Sequence, residues 1–142
     1  DPPMIDRLKN FKGDGGTSMF NTEVVSAFIE SGDFTGQVEA ARRLYTRKHD
    51  LMAAALDRHM PDWVNWSAPG GGYFVWAEMP AGMSASAVVK AAQEKGIAVF
   101  AGAASFADGS DDSHIRLCFA YLRDELIEPG IAALGAVLRT LR

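Results

Sequence analysis

The sequence predicts a two-layer α/β domain in which helices cover a small sheet, and three observations support that prediction. Apolar residues recur at helical spacing over a long segment, Gly36 to Met60. After Pro61 the pattern changes to short apolar runs that are typical of strands. These runs alternate with further helical segments, as expected when one sheet packs against helices. With 142 residues, 48% of them hydrophobic, the chain is long enough to bury a core.

Two shorter helices precede the long one. The first is predicted over Pro3–Asn10 and is broken by a glycine-rich segment. Thr17 or Ser18 caps the second, which runs through Glu30 and stops at Gly32. We expect one face of this second helix to be well buried, because it carries the apolar residues Val24, Val25, Phe28 and Ile29. Since neither helix is followed by a strand, both are expected to pack against another part of the protein, such as a domain outside this chain.

The long helix, Gly36 to Met60, has two contrasting faces. Its apolar face comprises Val38, Ala41, Leu44, Tyr45, Leu51, Met52, Ala55 and Leu56. Its other face carries Glu39, Arg42, Arg43, Arg47, Lys48 and Asp50, and we expect this face to be solvated, with local ion pairs.

The first strands are predicted directly after the long helix. Trp63–Trp66 is a short candidate, and Tyr73–Met79 is a stronger one behind Pro69–Gly72. The glycine run precedes a strand and does not open a helix, so it is not a phosphate-binding loop; we predict a turn with close backbone packing. The aromatic side chains of this region are predicted to pack in the core: Trp63, Trp66, Tyr73, Phe74 and Trp76.

A helix capped by Ser84 is predicted to run through Lys95 and to end at Gly96, with a strand over Ile97–Phe100 behind it.

The last helix has an uncertain start. It carries the apolar residues Ile127, Ile131, Leu134, Val137, Leu138 and Leu141. Pro129 removes one backbone hydrogen bond and crowds the carbonyl of the residue four positions earlier. A start near Asp124 and a start near Glu128, with the proline in the first turn, therefore both remain open.

The segment His114–Ala120 places an arginine inside an apolar strand pattern. Ile115, Leu117 and Phe119 share one face at a period of two, so Arg116 projects from the other face. Its guanidinium is always charged, and its planar donor edge suits a carboxylate. Two partners remain open at this point. One is the carboxylate of a ligand; the other is an aspartate of the chain, from the set Asp108, Asp111, Asp112 and Asp124.

Composition excludes several classes of function. The net charge of −4, with lysines and arginines scattered along the chain, argues against nucleic-acid binding. No apolar run approaches the ~20 residues that span a bilayer, and the first residues do not resemble a signal peptide. The lone Cys118 cannot form an internal disulfide, so we expect a reducing compartment, the cytoplasm. Because the chain starts at Asp1 without methionine, we expect a fragment that begins inside a longer protein.

Other candidate sites are weaker. Gly13–Ser18 precedes a helix N-terminus, where backbone donors favour an anion, but the carboxylate of Asp14 weakens this hypothesis, and a ligand-facing or partner-facing loop and a flexible connection both remain open. The histidines show no metal-ligand spacing and are predicted to lie on the surface: His49, His59 and His114. Ser105 lacks the context of an activated nucleophile, so we predict no self-contained catalytic apparatus and no metal site.

Taken in order, the motifs resemble one family, the class I/II fold-type I aminotransferases that use pyridoxal phosphate, especially the branch of aminoadipate and kynurenine aminotransferases and the MocR-type regulators. The similar segments are collinear over nearly all of the chain: Pro2–Leu8, Met19–Asn21, Arg43–Asp50, Pro69–Trp76, Gly102–Phe106, Ile115–Ala120, and the last helix with Glu125, Ile127 and Gly130. No single segment identifies the family by itself, but the order of the segments along the chain is specific to it. The arginine strand is the most specific element.

The resemblance implies a fold, a partner and a role for Arg116. It implies a small, mostly antiparallel sheet covered by helices, with a long interdomain helix at the start. Residues 1–35 are then the helical tail of a missing large cofactor-binding domain, and residues 36–142 are the C-terminal small domain. In such enzymes the arginine that matches Arg116 binds the α-carboxylate of the amino-acid substrate and so orients it. Because these enzymes are usually homodimers with shared active sites, Thr17 and Met19 become candidates for a loop that reaches the partner's site.

The departures from the family narrow this hypothesis. The lysines of the chain, Lys9, Lys12, Lys48, Lys90 and Lys95, do not match the lysine that holds pyridoxal phosphate and moves the α-proton in the family. Ala101 stands where proline often precedes the residue that matches Gly102. We therefore expect the C-terminal, substrate-binding part of an aminotransferase acting on an amino acid and a 2-oxo acid, inactive alone, with no catalytic residue of its own and no assigned cofactor contact. The alternatives are the sensor domain of a MocR-type transcription regulator and a standalone carboxylate-binding module.

Overall fold

The computed structural model describes residues 2–11, 13 and 16–142. Its elements, in chain order, are α1 (Pro2–Phe11), α2 (Met19–Glu30), α3 (Asp33–His59), β1 (Asn65–Trp66), β2 (Phe74–Glu78), α4 (Ala85–Glu94), β3 (Phe100–Ala101), a 3₁₀ helix (Gly102–Ser105), β4 (His114–Cys118) and α5 (Asp124–Thr140). The chain forms two compact units, and the division falls inside α3, between Ala41 and Arg42. Among the described residues, no helix combines the length and the apolar character needed to cross a membrane.

The first unit contains α1, α2 and the start of α3. The hydroxyl oxygen of Ser18 accepts a hydrogen bond from the backbone N–H of Asn21, which confirms the predicted cap. Gly32 follows with a φ of 83°, a conformation that side chains other than glycine rarely adopt. The expected burial of the apolar stripe on α2 is wrong for this chain, because its four residues are between 38% and 54% exposed. The described part of this unit is helical and offers no second layer to cover that face.

The second unit contains a four-stranded sheet with the order β1-β2-β4-β3. Every pairing between its neighbours is antiparallel, which confirms the fold class. Strand β4 is paired on both sides, so Arg116 has Trp76 of β2 opposite it on one side and Phe100 of β3 on the other. The arginine strand is therefore an interior strand of the sheet.

One face of this sheet forms the core with α3, α4 and α5. Strand residues of this face are Val75, Ala77, Ile115 and Leu117, and helix residues packed in the same cluster include Met52, Leu56, Val88, Ile127 and Leu134. All of these are almost completely buried. Burial of each large aliphatic side chain contributes about 1.5–3 kcal/mol, so this single layer of contacts provides most of the stability of the unit.

Several local predictions need correction. Ile97–Val99 is not a strand, because the N–H of Ile97 donates to the carbonyl of Ala92 around Gly96, and the strand begins only at Phe100. A side chain at Gly70, Gly71 or Gly72 would meet no other atom within 4 Å, so the predicted close packing of that turn is wrong.

Two further points concern the helices. Helix α5 begins at Asp124 and includes Pro129, which decides between the two starts that the sequence left open. Lys48 does not lie on a solvated face; its side chain is 8% exposed and its ammonium donates to the carbonyl of Leu122. Asp124 lies 3.6 Å from the same ammonium and 2.5 Å from Arg47, so these charges join α3 to the start of α5.

Two glycines of α5 provide a matched test of this packing. A Cβ at Gly135 would overlap the carbonyl group of His59 at the end of α3, whereas a Cβ at Gly130 would meet nothing within 4 Å. We expect Gly135→Ala to lower the free energy of unfolding by about 1–3 kcal/mol through overpacking. Gly130→Ala is expected to leave it unchanged or to raise it by up to about 1 kcal/mol, as alanine favours helix. Urea unfolding followed by circular dichroism measures both, and equal effects of the two substitutions would contradict the packing described.

Candidate functional site

Arg116 lies in the middle of β4 on the face of the sheet opposite the core. Its neighbours Ile115 and Leu117 are 0% and 3% exposed and belong to the core, so the alternation of the strand directs the Arg116 side chain away from it. Arg116 itself is half-buried. The sequence therefore predicted the face on which this charge lies.

Two aromatic rings and one hydroxyl surround the guanidinium. Its central carbon lies 4.3 Å from the centre of the Phe74 ring and 5.3 Å from that of Phe100, within the range of cation–π contacts. Nη1 donates a hydrogen bond of 3.2 Å to the hydroxyl oxygen of Ser105. Nε is buried and has no hydrogen-bond partner among the described residues. Nη2 also makes no hydrogen bond to the described residues, but it is accessible to solvent. The open donors are thus at the tip of the side chain.

The four aspartates that could have paired with Arg116 bind elsewhere. Asp108 accepts from the N–H of Ser110, and Asp112 accepts from the N–H and hydroxyl of Ser86. Asp111 accepts from Ser113 and lies 3.0 Å from Nδ1 of His114, while Asp124 pairs with Arg47 and Lys48. Within residues 2–11, 13 and 16–142, no carboxylate lies within ion-pair distance of Arg116. The alternative partner of Arg116, an aspartate of the chain, is therefore not found among the described residues.

The loop that carries Ser105 is fixed by close packing at Gly102. A Cβ on Gly102 would overlap the Asp111 carboxylate and would lie 3.0 Å from both the Cβ and the carbonyl oxygen of His114. Hydrogen bonds from His114 and from Ser113 lower the pKa of Asp111 from its usual 3.8 to about 2. The carboxylate is therefore ionised at neutral pH, and it lies next to the start of β4, where Gly102 packs closely against it. This close approach was predicted for Gly70–Gly72, and it occurs instead at Gly102.

Aromatic side chains extend the open face around Arg116. The Trp76 ring lies edge-on to those of Phe106 and His114, at 6.4 Å and 5.7 Å between ring centres. Trp76 is 36% exposed and Tyr73 is 49% exposed, so the prediction of core packing for the whole aromatic group is wrong for these two. It is right in part for Trp63 and Trp66, which are partly buried against the core. Trp76 shares the face of Arg116 because it is its partner across the strand pair.

The histidines are less exposed than predicted. The ring of His49 lies against that of Phe119, 5.8 Å away, and its Nε2 is buried without a partner among the described residues. His59 contacts Glu128 at 3.2 Å. In the part of the chain that the structure describes, no three histidine, cysteine or acidic side chains come together as metal ligands would.

The candidates in the N-terminal loop are only partly described. Thr17 is exposed just before the cap of α2, and Met19, the first residue of α2, is 74% exposed. Asp14 and Gly15 lie outside the described residues, as does Lys12, so the hypothesis of an anion site over Gly13–Ser18 stays a prediction.

Sequence reasoning missed three residues at the site. Phe74 could have been found, because it lies two residues before Trp76 on the same face of β2. Ser105 does not fit the sequence pattern of a nucleophile, and its contact with Arg116 is not visible in local spacing because it joins residues eleven positions apart through a 3₁₀ helix. Phe100 was assigned to a strand but not to this face. Loop geometry and strand register, which supply these contacts, are not encoded in local spacing.

Comparison with known proteins gives a consistent result. The family model described as aminotransferase class I and II matches residues 1–134. A 2-aminoadipate transaminase of Thermus thermophilus is 36% identical over 142 residues, which cover 99% of this chain and 36% of that protein. The crystal structure of the alpha-aminoadipate aminotransferase of this organism, in complex with N-(5'-phosphopyridoxyl)-L-leucine, aligns over 99% of this chain and 36% of its own, with 35% identity and a TM-score of 0.84.

Two other relatives complete the comparison. The crystal structure of a kynurenine aminotransferase of Pyrococcus horikoshii has a TM-score of 0.84 and 28% identity, covering 99% of this chain and 35% of its own. An uncharacterized HTH-type transcriptional regulator of Bacillus subtilis is 30% identical over 141 residues, which cover 98% of this chain and 29% of that protein. The chain thus spans about a third of the length of the relatives that it matches.

The acidity of Asp111 gives a prediction about stability. Its folded-state pKa of about 2 lies below its usual 3.8, so the carboxylate stabilises the fold above about pH 4 and this contribution is lost as pH falls from about 4 towards 2. We expect the wild-type free energy of unfolding to fall more steeply over that interval than that of Asp111→Asn. Urea unfolding at a series of pH values measures this difference. Two parallel pH profiles would show that the carboxylate makes no such contribution.

Proposed function

This chain belongs to the class I and II aminotransferases, and we propose that it forms the C-terminal part of a pyridoxal-phosphate-dependent aminotransferase in which Arg116 binds the α-carboxylate of the substrate. The full-length parent transfers an amino group from an amino acid to a 2-oxo acid. One observation carries the proposal: a half-buried guanidinium on the open face of the sheet has no carboxylate partner among the described residues.

The geometry around Arg116 favours a carboxylate over other ligands. The rings of Phe74 and Phe100 lie near the guanidinium and present no counter-charge, so its positive charge stays available. A planar carboxylate can accept hydrogen bonds from the tip of the guanidinium, where Nη2 is open. Such bonds to charged groups contribute about 1.5–3 kcal/mol each. Because two bonds would fix both the position and the plane of the carboxylate, Arg116 orients the substrate as well as holding it.

The described residues do not fit a cofactor site. The family uses pyridoxal phosphate, which is held by a lysine. Lys48 is buried and bonded to Leu122 and Asp124, and Lys9 pairs with Asp6. Lys90 lies within α4 and Lys95 caps its end, and α4 packs on the core face of the sheet, opposite Arg116. We therefore place the cofactor lysine and the phosphate contacts in a part of the parent that this chain does not include.

The two predicted domains, residues 1–35 and 36–142, have distinct roles in this proposal. Residues 1–35 are the helical tail of the large cofactor-binding domain, and the exposed apolar stripe of α2 supports this, because such a surface is usually covered. Residues 36–142 are the small domain. The parent is a cytoplasmic homodimer, and Thr17, just before α2, and Met19, the first residue of α2, reach the site of the partner subunit; their exposure is compatible with that role.

A second candidate function has one specific observation in its favour. The Bacillus subtilis relative is a transcriptional regulator and matches 98% of this chain. The parent could accordingly be a regulator in which the aminotransferase-like part senses an amino acid through Arg116. A winged-helix segment encoded upstream in the parent gene would support this candidate. An intact gene beginning near Asp1 would instead support a standalone carboxylate-binding module.

Substitution of Arg116 in the full-length parent tests the proposal. We expect Arg116→Ala to lower kcat/KM for amino acids by at least about 100-fold, because it removes both the anion contact and the orientation that it gives. Arg123→Ala is the control for loss of an arginine charge, since Arg123 is exposed to solvent and, like Arg116, makes no side-chain ion pair among the described residues. Steady-state kinetics measures both variants. If Arg116→Ala kept the wild-type kcat/KM, the assignment would be wrong.

The chain alone provides a separate test. We expect the 142-residue chain, mixed with pyridoxal phosphate and reduced with borohydride, to carry no stoichiometric cofactor adduct at a single lysine, because its described lysines are buried, paired or distant from the open face. Intact-mass spectrometry and the visible spectrum before reduction provide the readout. One cofactor per chain at a unique lysine would contradict the placement of the cofactor lysine outside this chain.

A further inference from the structure

We propose that Ser105 is a positioning residue for Arg116. Its hydroxyl holds Nη1 and thereby fixes the direction in which the guanidinium presents its remaining donors to a carboxylate. This inference rests on the proposed function, since it concerns how the same arginine meets its ligand. The residue is not expected to touch the substrate or the cofactor.

The aromatic contacts leave one motion of the guanidinium unrestrained. Phe74 lies 4.3 Å and Phe100 5.3 Å from the guanidinium carbon, and such ring contacts act through the flat faces of the rings. They oppose displacement away from the rings, but they do not select one angle of the donor fork, because a ring face has no directional acceptor. A hydrogen bond is directional. The bond from Nη1 to Ser105 is the only one that Arg116 makes to the described residues, so it alone selects that angle.

The position of Ser105 is set by the loop that carries it. The 3₁₀ helix starts at Gly102, directly after β3, and Gly102 packs so closely on Asp111 and His114 that no side chain would fit. Asp111 is in turn held by Ser113 and His114. The loop thus packs against the first residue of β4, two positions before Arg116. This packing fixes the position of Ser105 relative to Arg116.

The chemistry of serine suits this role. A hydroxyl accepts a hydrogen bond from the guanidinium and stays neutral, so the full positive charge remains for an incoming anion. An aspartate or glutamate in the same place would neutralise that charge and compete with the substrate. An alanine would leave the charge of Arg116 unchanged but would remove the hydrogen bond that orients the guanidinium. The guanidinium would then face the ligand correctly for a smaller fraction of the time.

The test compares substrates that differ only in the α-carboxylate. The full-length holoenzyme is prepared as wild type, Ser105→Ala, Ser105→Thr and Arg116→Ala, with Ser67→Ala as a control, because Ser67 is exposed and makes no hydrogen bond among the described residues. The probes are L-2-aminoadipate, L-leucine and L-phenylalanine, each paired with the amine that lacks the α-carboxylate. For each pair, the ratio of kcat/KM for the amino acid to that for the amine reports carboxylate recognition. Thermal unfolding midpoints show whether each variant is folded.

The expected pattern separates this inference from the proposed function. Ser105→Ala should lower the ratio about tenfold, through the amino acid and not the amine, while Ser105→Thr and Ser67→Ala keep the wild-type ratio. An unchanged ratio in Ser105→Ala, together with a collapsed ratio in Arg116→Ala, would overturn the role of Ser105 and leave that of Arg116. Equal losses for amino acids and amines in Ser105→Ala would also overturn it, since that pattern indicates a general structural effect. An unchanged ratio in Arg116→Ala would overturn the proposed function itself.

Discussion

The two-sided pairing of β4 is the constraint on which the rest of the site depends. A strand that is bonded on both sides cannot rotate about its axis, and its side chains alternate strictly between two faces. Ile115 and Leu117 are committed to the core, so Arg116 must point away from it. The direction of the Arg116 side chain is therefore fixed by the burial of its two apolar neighbours in the chain. A shift of one residue in register would bury the guanidinium and expose both apolar side chains, which no local compensation could offset.

No carboxylate among the described residues pairs with Arg116, because the aspartates closest to it in sequence are bonded to other groups. Asp111 is bonded to Ser113 and His114 at the start of β4, and Asp124 binds Arg47 and Lys48 where α5 begins next to α3. Both carboxylates are thus bonded to other residues and do not pair with the arginine. An unpaired, half-buried guanidinium is costly in a folded chain, and the substrate carboxylate that we propose for this site would supply the missing anion.

Much of this arrangement could be predicted from the sequence. The helices, the change to strands after Pro61 and the face of Arg116 follow from periods of 3.6 and two, which are properties of neighbouring residues. The site around the arginine could not be predicted in full. Ser105 and Phe100 reach it through a 3₁₀ helix and an edge-strand register, and the burial of Lys48 depends on a carbonyl of a distant turn. The apolar stripe of α2 was predicted to be buried, but it is exposed. An amphipathic pattern indicates that a helix face packs against something, but it does not identify the packing partner.

The most direct test of this account is a crystal structure of the full-length parent with a bound amino-acid ligand. The account predicts that both oxygens of the α-carboxylate lie about 2.7–2.9 Å from the terminal nitrogens of Arg116, with the Ser105 contact retained. A carboxylate bound elsewhere, with Arg116 paired to an aspartate or glutamate from another part of the parent, would contradict it.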